Sequence, residues 1–147
     1  MDILGIIKSD HRVLLELSEK LNRATSASSR QKILSELSKR LRILLSIDGD
    51  YLYPEAGRLG RPVQAYLQRS ASEHEQIEKK LSELEAKKNK LTRKDCEGLA
   101  EYLEAHLAEK EDILLPKIRQ QIPTDEREDL GTVFLDVYAD SGITFFE

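Results

Sequence analysis

Apolar residues recur every three or four positions through most of this chain, and that spacing decides what it can fold into. Positions three and four apart share one face of an α-helix, whereas a half-buried strand needs alternation at every second residue. The clearest run is Val63, Leu67, Ser70, His74, Ile77, Leu81 and Leu84, in alternating steps of four and three. A first helix over residues 2–23 carries Ile3, Ile7, Leu14, Leu17 and Leu21 on one stripe. A second, ending near Tyr53, carries Leu34, Leu37, Leu41, Leu44 and Leu52, and a last carries Leu99, Leu103, His106, Ile113 and Leu114 before Pro116. Each stripe needs a partner to bury it, and four such helices satisfy one another as a bundle.

The punctuation agrees. Ser26, Ser28 and Ser29 break the first helix and offer an N-cap to the second, and Thr92 offers one to the fourth. Pro54, Gly57, Gly60 and Pro62 mark a turn between the second and third. A shorter helix starts at Thr124, where Thr-x-x-Arg lacks the Glu of a full capping box. Residues 133–147 are apolar for a tail, with Phe134, Leu135, Val137, Tyr138, Ile143, Phe145 and Phe146, and pack across the bundle or against a second copy. The expectation is an all-α, up-down-up-down four-helix bundle, one domain over residues 1–147, with the bundle at 2–121 and a C-terminal extension at 122–147.

Composition narrows the function classes. A net charge of −4 gives no electrostatic case for nucleic acid or an anionic membrane surface, both of which need clustered positive charge. Lys79, Lys80, Lys87, Lys88 and Lys90 are interleaved with Glu and read as a solvated helix face. No apolar run approaches the roughly 20 residues of a membrane span, and the first residues do not read as a signal peptide. Cys96 is the single cysteine, so no internal disulfide is available and the thiol reads as inert. A soluble cytoplasmic protein is expected.

The chain's three histidines all fall on apolar stripes: His11 between Ile7 and Leu14, His74 between Ser70 and Ile77, and His106 three residues after Leu103. Asp48 lies between Leu44 and Leu52 on the second stripe, and an unpaired carboxylate at a core position costs several kcal/mol. In an up-down bundle His11, His74, Asp48 and His106 sit at depths of roughly 15, 18, 9 and 15 Å from one end, close enough to share a layer. Glu111 follows His106 by five and can turn into it. Three imidazoles and two carboxylates converging in a dry core suit iron, manganese or zinc. Other metal patterns fail. There is no His-Glu-x-x-His, no ferritin-like Glu-x-x-His and no glycine-rich phosphate loop.

The second and fourth helices also end alike. Residues 44–54, from Leu44 through Asp48 to Tyr53 and Pro54, can be laid over residues 106–116, from His106 to Pro116, with Leu and Pro recurring in register. This is a weak two-fold repeat.

Asp10-His11, Glu73-His74 with Ile77, and His106-x-x-x-x-Glu111-x-x-Leu114-x-Pro116 resemble the hemerythrin-like (HHE cation-binding) domains, over residues 1 to about 120. The resemblance implies a bundle holding a non-haem, usually di-iron, centre that binds or senses O2 or NO, or handles iron. Under it, His11 ligates one iron and His74 and His106 the other, with Asp48 and Glu111 as bridges. Leu44 and Ser70 stand where the family places histidines, Lys110 stands where many relatives have a glutamate, and Gly49 loosens the helix beside Asp48. Five histidines are thereby cut to three. Three readings follow: a bundle binding iron or another divalent metal, a metal-free interaction or structural module in which Lys110 neutralises Asp48 or Glu111, and, least favoured, an enzyme using open metal positions. A homodimer through the apolar tail is a further expectation.

Overall fold

The structure, a computed structural model, describes residues 1–143, and within them it contains helices and turns with no strand. The first helix, α1 (Ile3–Arg23), is capped by the Asp2 carboxylate, which accepts from the Leu4 amide. Ser26 caps α2 (Ala27–Ile47) in the same way through the Ser29 amide. A π-helical turn at Asp48–Leu52 then leads into the short α3 (Tyr53–Ala56). Gly60, at φ 108°, reverses the chain into α4 (Arg61–Ala86), a conformation that residues with a Cβ avoid. Thr92 and Asp95 form a reciprocal capping box at the start of α5 (Arg93–Glu109). A second π-helical turn, Lys110–Leu114, precedes α6 (Leu115–Gln121), and α7 (Thr124–Asp140) is the last described helix.

The four long helices close a ring of contacts: α1 packs on α2 and α5, and α4 packs on both as well. No helix among the described residues is long and apolar enough to cross a membrane.

The helix expected at Thr124 is longer than its sequence signals suggest, and Pro123 rather than Thr124 sits at its N-cap. Its helix lies along α1 and touches α2, burying Phe134 and Tyr138. Up to residue 143 the tail therefore packs across its own bundle; Phe145 and Phe146 lie outside the described residues. The contact with α1 is made at close range. A side chain at Gly131 would overlap the Met1 carbonyl oxygen and press on Ile6. Arg127 Nε donates to Asp2 Oδ2 at 2.8 Å beside it.

The interior divides in two. One apolar cluster includes Ile3, Ile6, Ile7, Ile47, Leu52, Val63, Tyr66, Leu114, Ile118 and Phe134. The other includes Leu14, Leu21, Leu37, Leu41, Leu44, Ile77, Leu81, Leu99, Leu103 and Leu107. Along the chain, Asp10 and His11, Ser70 and His74, and Lys110 fall between members of the two clusters, and Asp48 and His106 lie within a few residues of the same boundary. One polar level crosses all four helices.

Gly131→Ala should lower stability by about 1–3 kcal/mol, the usual effect of overpacking a close contact. Urea denaturation reads this directly, and an unchanged midpoint would show that α7 docks without that contact.

Candidate functional site

Two helix irregularities bring the polar level together. In each π turn an amide bonds five residues back instead of four: Tyr53 N–H to the Asp48 carbonyl, and Leu115 N–H to the Lys110 carbonyl. The widened turn comes just before a proline, Pro54 or Pro116, whose ring would crowd a regular helix and whose missing N–H cannot continue the ladder. The first residue of each π turn points inward. Asp48 is 1% exposed and Lys110 is fully buried.

These two side chains meet. Lys110 Nζ donates to Asp48 Oδ2 at 2.5 Å, across 62 residues of sequence. Burial pushes the Asp48 carboxyl up from its ordinary value, and the neighbouring ammonium opposes that push by charge and by hydrogen bond. Asp48 Oδ1 is also buried and has no partner among the described residues.

Around this pair stand the three histidines. His11 is buried, and neither ring nitrogen makes a hydrogen bond among the described residues; Nδ1 lies 3.4 Å from Glu111 Oε2, outside bonding geometry. Burial first, then the charges of Lys110 and His106, lowers its pKa to about 2, so the ring is neutral. His106 is buried, and its Nδ1 lies 2.6 Å from Glu73 Oε2. A carboxylate only accepts, so Nδ1–H donates to Glu73 and Nε2 is the remaining ring nitrogen. His74 is half-buried, with its ring centroid 5.5 Å from that of His106. Its Nε2 faces two hydroxyls, Ser70 Oγ at 3.2 Å and Tyr53 Oη at 3.3 Å, which are themselves 2.7 Å apart. Burial, then His106 and Lys110, lowers the His74 pKa to about 4.

Glu111 is less central than its spacing from His106 implies. The π turn that aims Lys110 inward leaves the Glu111 side chain at the rim, 34% exposed. Leu44 faces the apolar cluster, and Ser70 reaches the level through its hydroxyl.

Sequence reasoning passed over part of the network. Asp10, fully buried, accepts from Arg40 Nε and from Tyr138 Oη, both at 2.7 Å. Burial raises its pKa, and the Arg40 and Tyr138 hydrogen bonds oppose that rise. The spacing of Ile3, Ile6, Ile7, Asp10 and Leu14 already put this carboxylate on the buried face. Its partners, 30 and 128 residues away, carried no local signal.

Residues 2–118 match the family described as the hemerythrin HHE cation binding domain. The chain belongs to that family. No curated protein matches it, and no solved structure does. The family is a metal-binding one, commonly of iron, so the donor set of this hemerythrin-family chain has to be tested against a metal. As arranged, the residues do not fit a dinuclear centre. Asp48 holds an ammonium, His74 Nε2 faces hydroxyls, and Glu111 stands at the rim. Among the described residues, no three of His, Cys, Asp and Glu form a group that could hold a metal ion.

Two predictions follow from this geometry. Asp48→Leu or Lys110→Met alone should cost about 3–5 kcal/mol, because each leaves an unmatched buried charge, while the two together should be close to neutral. A double-mutant cycle in urea measures this, and single variants as stable as the parent would mean that the pair is solvated. The second concerns His11, whose folded pKa lies below its unfolded value of about 6.5. The unfolded chain takes up a proton as pH falls through 6.5 and the folded chain does not, so stability is lost across that window down to about 2. His11→Leu removes this contribution. From pH 7 to 5 the variant should gain roughly 2 kcal/mol relative to the parent, and a constant difference would show that His11 is protonated in the fold.

Proposed function

We propose that this chain acts as a metal-free member of the hemerythrin family, an interaction or structural module built on an up-down-up-down four-helix bundle of about residues 2–121 with an extension at 122–147. The observation that carries this reading is the buried Asp48–Lys110 pair. A carboxylate in a dry core needs a positive partner, and here the chain supplies that partner itself. An oxygen-carrying di-iron centre needs the opposite arrangement, several anionic and neutral donors with no fixed ammonium among them. The reading is of a non-enzymatic protein, and we place it in the cytoplasm.

A second reading is favoured by one specific observation: His11 Nδ1 and Nε2 and Asp48 Oδ1 are buried and make no hydrogen bond among the described residues. Such atoms suit a cation. Under this reading His11, Asp48, His74, His106 and Glu111 hold iron or another divalent metal once Lys110 withdraws, and the protein binds or senses O2 or NO.

Metal content of protein purified without a His-tag, with melting curves in ferrous iron, manganese and zinc, separates the two. The metal-free reading expects substoichiometric metal and unchanged melting temperatures. A metal that binds only the folded state at 100 times its Kd stabilises by about 2.7 kcal/mol. A melting-temperature rise of that order with any of the three metals would overturn the reading.

A further inference from the structure

We infer that Lys110 is the bundle's built-in cation, and that position 110 determines whether this level takes a divalent metal: an acidic residue there creates a metal site that the native chain lacks. The inference rests on the metal-free reading above and names the residue responsible for it.

The internal repeat supplies the first argument. With Leu44 laid over His106, Asp48 falls on Lys110 and Pro54 on Pro116. The structure repeats in the same register. Helix α2 ends at Ile47 and α5 at Glu109, and each continues into a five-residue π turn whose first side chain points inward. Asp48 and Lys110 are thus equivalent places on two similar elements, turned toward each other across the core. Two carboxylates at such places repel unless a cation lies between them, and two ammonium groups repel in the same way. One of each needs nothing further. The residue type at position 110 therefore sets whether the level requires an external cation.

The surrounding donors supply the second argument. His106, one helical turn before Lys110, has Nδ1 committed to Glu73 and Nε2 as its remaining nitrogen. This is the orientation in which a carboxylate steadies an imidazole for a metal on its other side. Both His11 nitrogens and Asp48 Oδ1 are buried without hydrogen-bond partners among the described residues. A glutamate in place of Lys110 removes the competing ammonium and adds a second carboxylate. The resulting set of imidazole nitrogens and carboxylate oxygens suits iron, manganese or zinc.

The test is Lys110→Glu in the full chain without a His-tag, with Lys110→Met as the variant that removes the ammonium and adds no ligand. Metal content and melting temperature are measured in chelator and in ferrous iron, manganese or zinc. Lys110→Glu should bind stoichiometric metal and melt higher with metal than in chelator; should it unfold in chelator, metal should restore the fold. Lys110→Met and the native chain should show neither effect. A folded Lys110→Glu protein that binds no more metal than the native chain overturns the inference. So does one that stays unfolded in every metal while Lys110→Met folds. Stoichiometric metal in the native chain defeats the metal-free reading instead, whatever Lys110→Glu does.

Discussion

The polar level of this bundle depends on one buried contact, Lys110 Nζ to Asp48 Oδ2. Desolvating either charge alone costs several kcal/mol, more than most single interactions in a domain return. Together they let Asp48 stay in a core that otherwise packs leucine and isoleucine on either side of it. The neutral state of His11 and His74 follows in part from the same contact, because the ammonium disfavours a second positive charge nearby. The pair thus adds to the effect of burial on the protonation of its neighbours.

A polar level between two apolar clusters also constrains register. Sliding one helix by a turn would carry Asp48 or Lys110 into a wall of aliphatic side chains and leave its partner unmatched. Uniform leucine stripes tolerate such slips more easily, and single buried polar positions in helical assemblies are known to fix alignment at some expense of stability. Here Asp10 with Arg40 and Tyr138, Ser70 with Tyr53, and His106 with Glu73 each add a cross-helix constraint of the same kind.

Much of this was legible in the sequence. The spacing of apolar residues located the long helices, and Ser26 and Thr92 were readable as caps because their chemistry is local. The histidines and Asp48 could be assigned to one depth by counting residues from the turns. Other features were hidden for physical reasons. A π turn changes a single hydrogen-bond step and leaves no compositional mark, so the turns at Asp48 and Lys110 were visible only as a faint repeat ending in proline. The inward aim of Lys110 and the rim position of Glu111 both follow from that turn, which simple helical counting cannot anticipate. The partners of Asp10 were out of reach because they come from elements far along the chain.

Helix α7 has a consequence for how the molecule is made. It is tied to the beginning of α1 at Asp2 by Arg127, 125 residues away, and to Asp10 by Tyr138, 128 residues away. Tyr138 follows every other described member of the polar level in the order of synthesis. Until α7 docks, one oxygen of Asp10 lacks its hydroxyl, and the groove beside Met1 and Ile6 that receives Gly131 lies open to water. A bundle formed before α7 docks carries an apolar slot and an under-bonded carboxylate on one flank. Docking of α7 closes that slot, so that the last described helix seals the first.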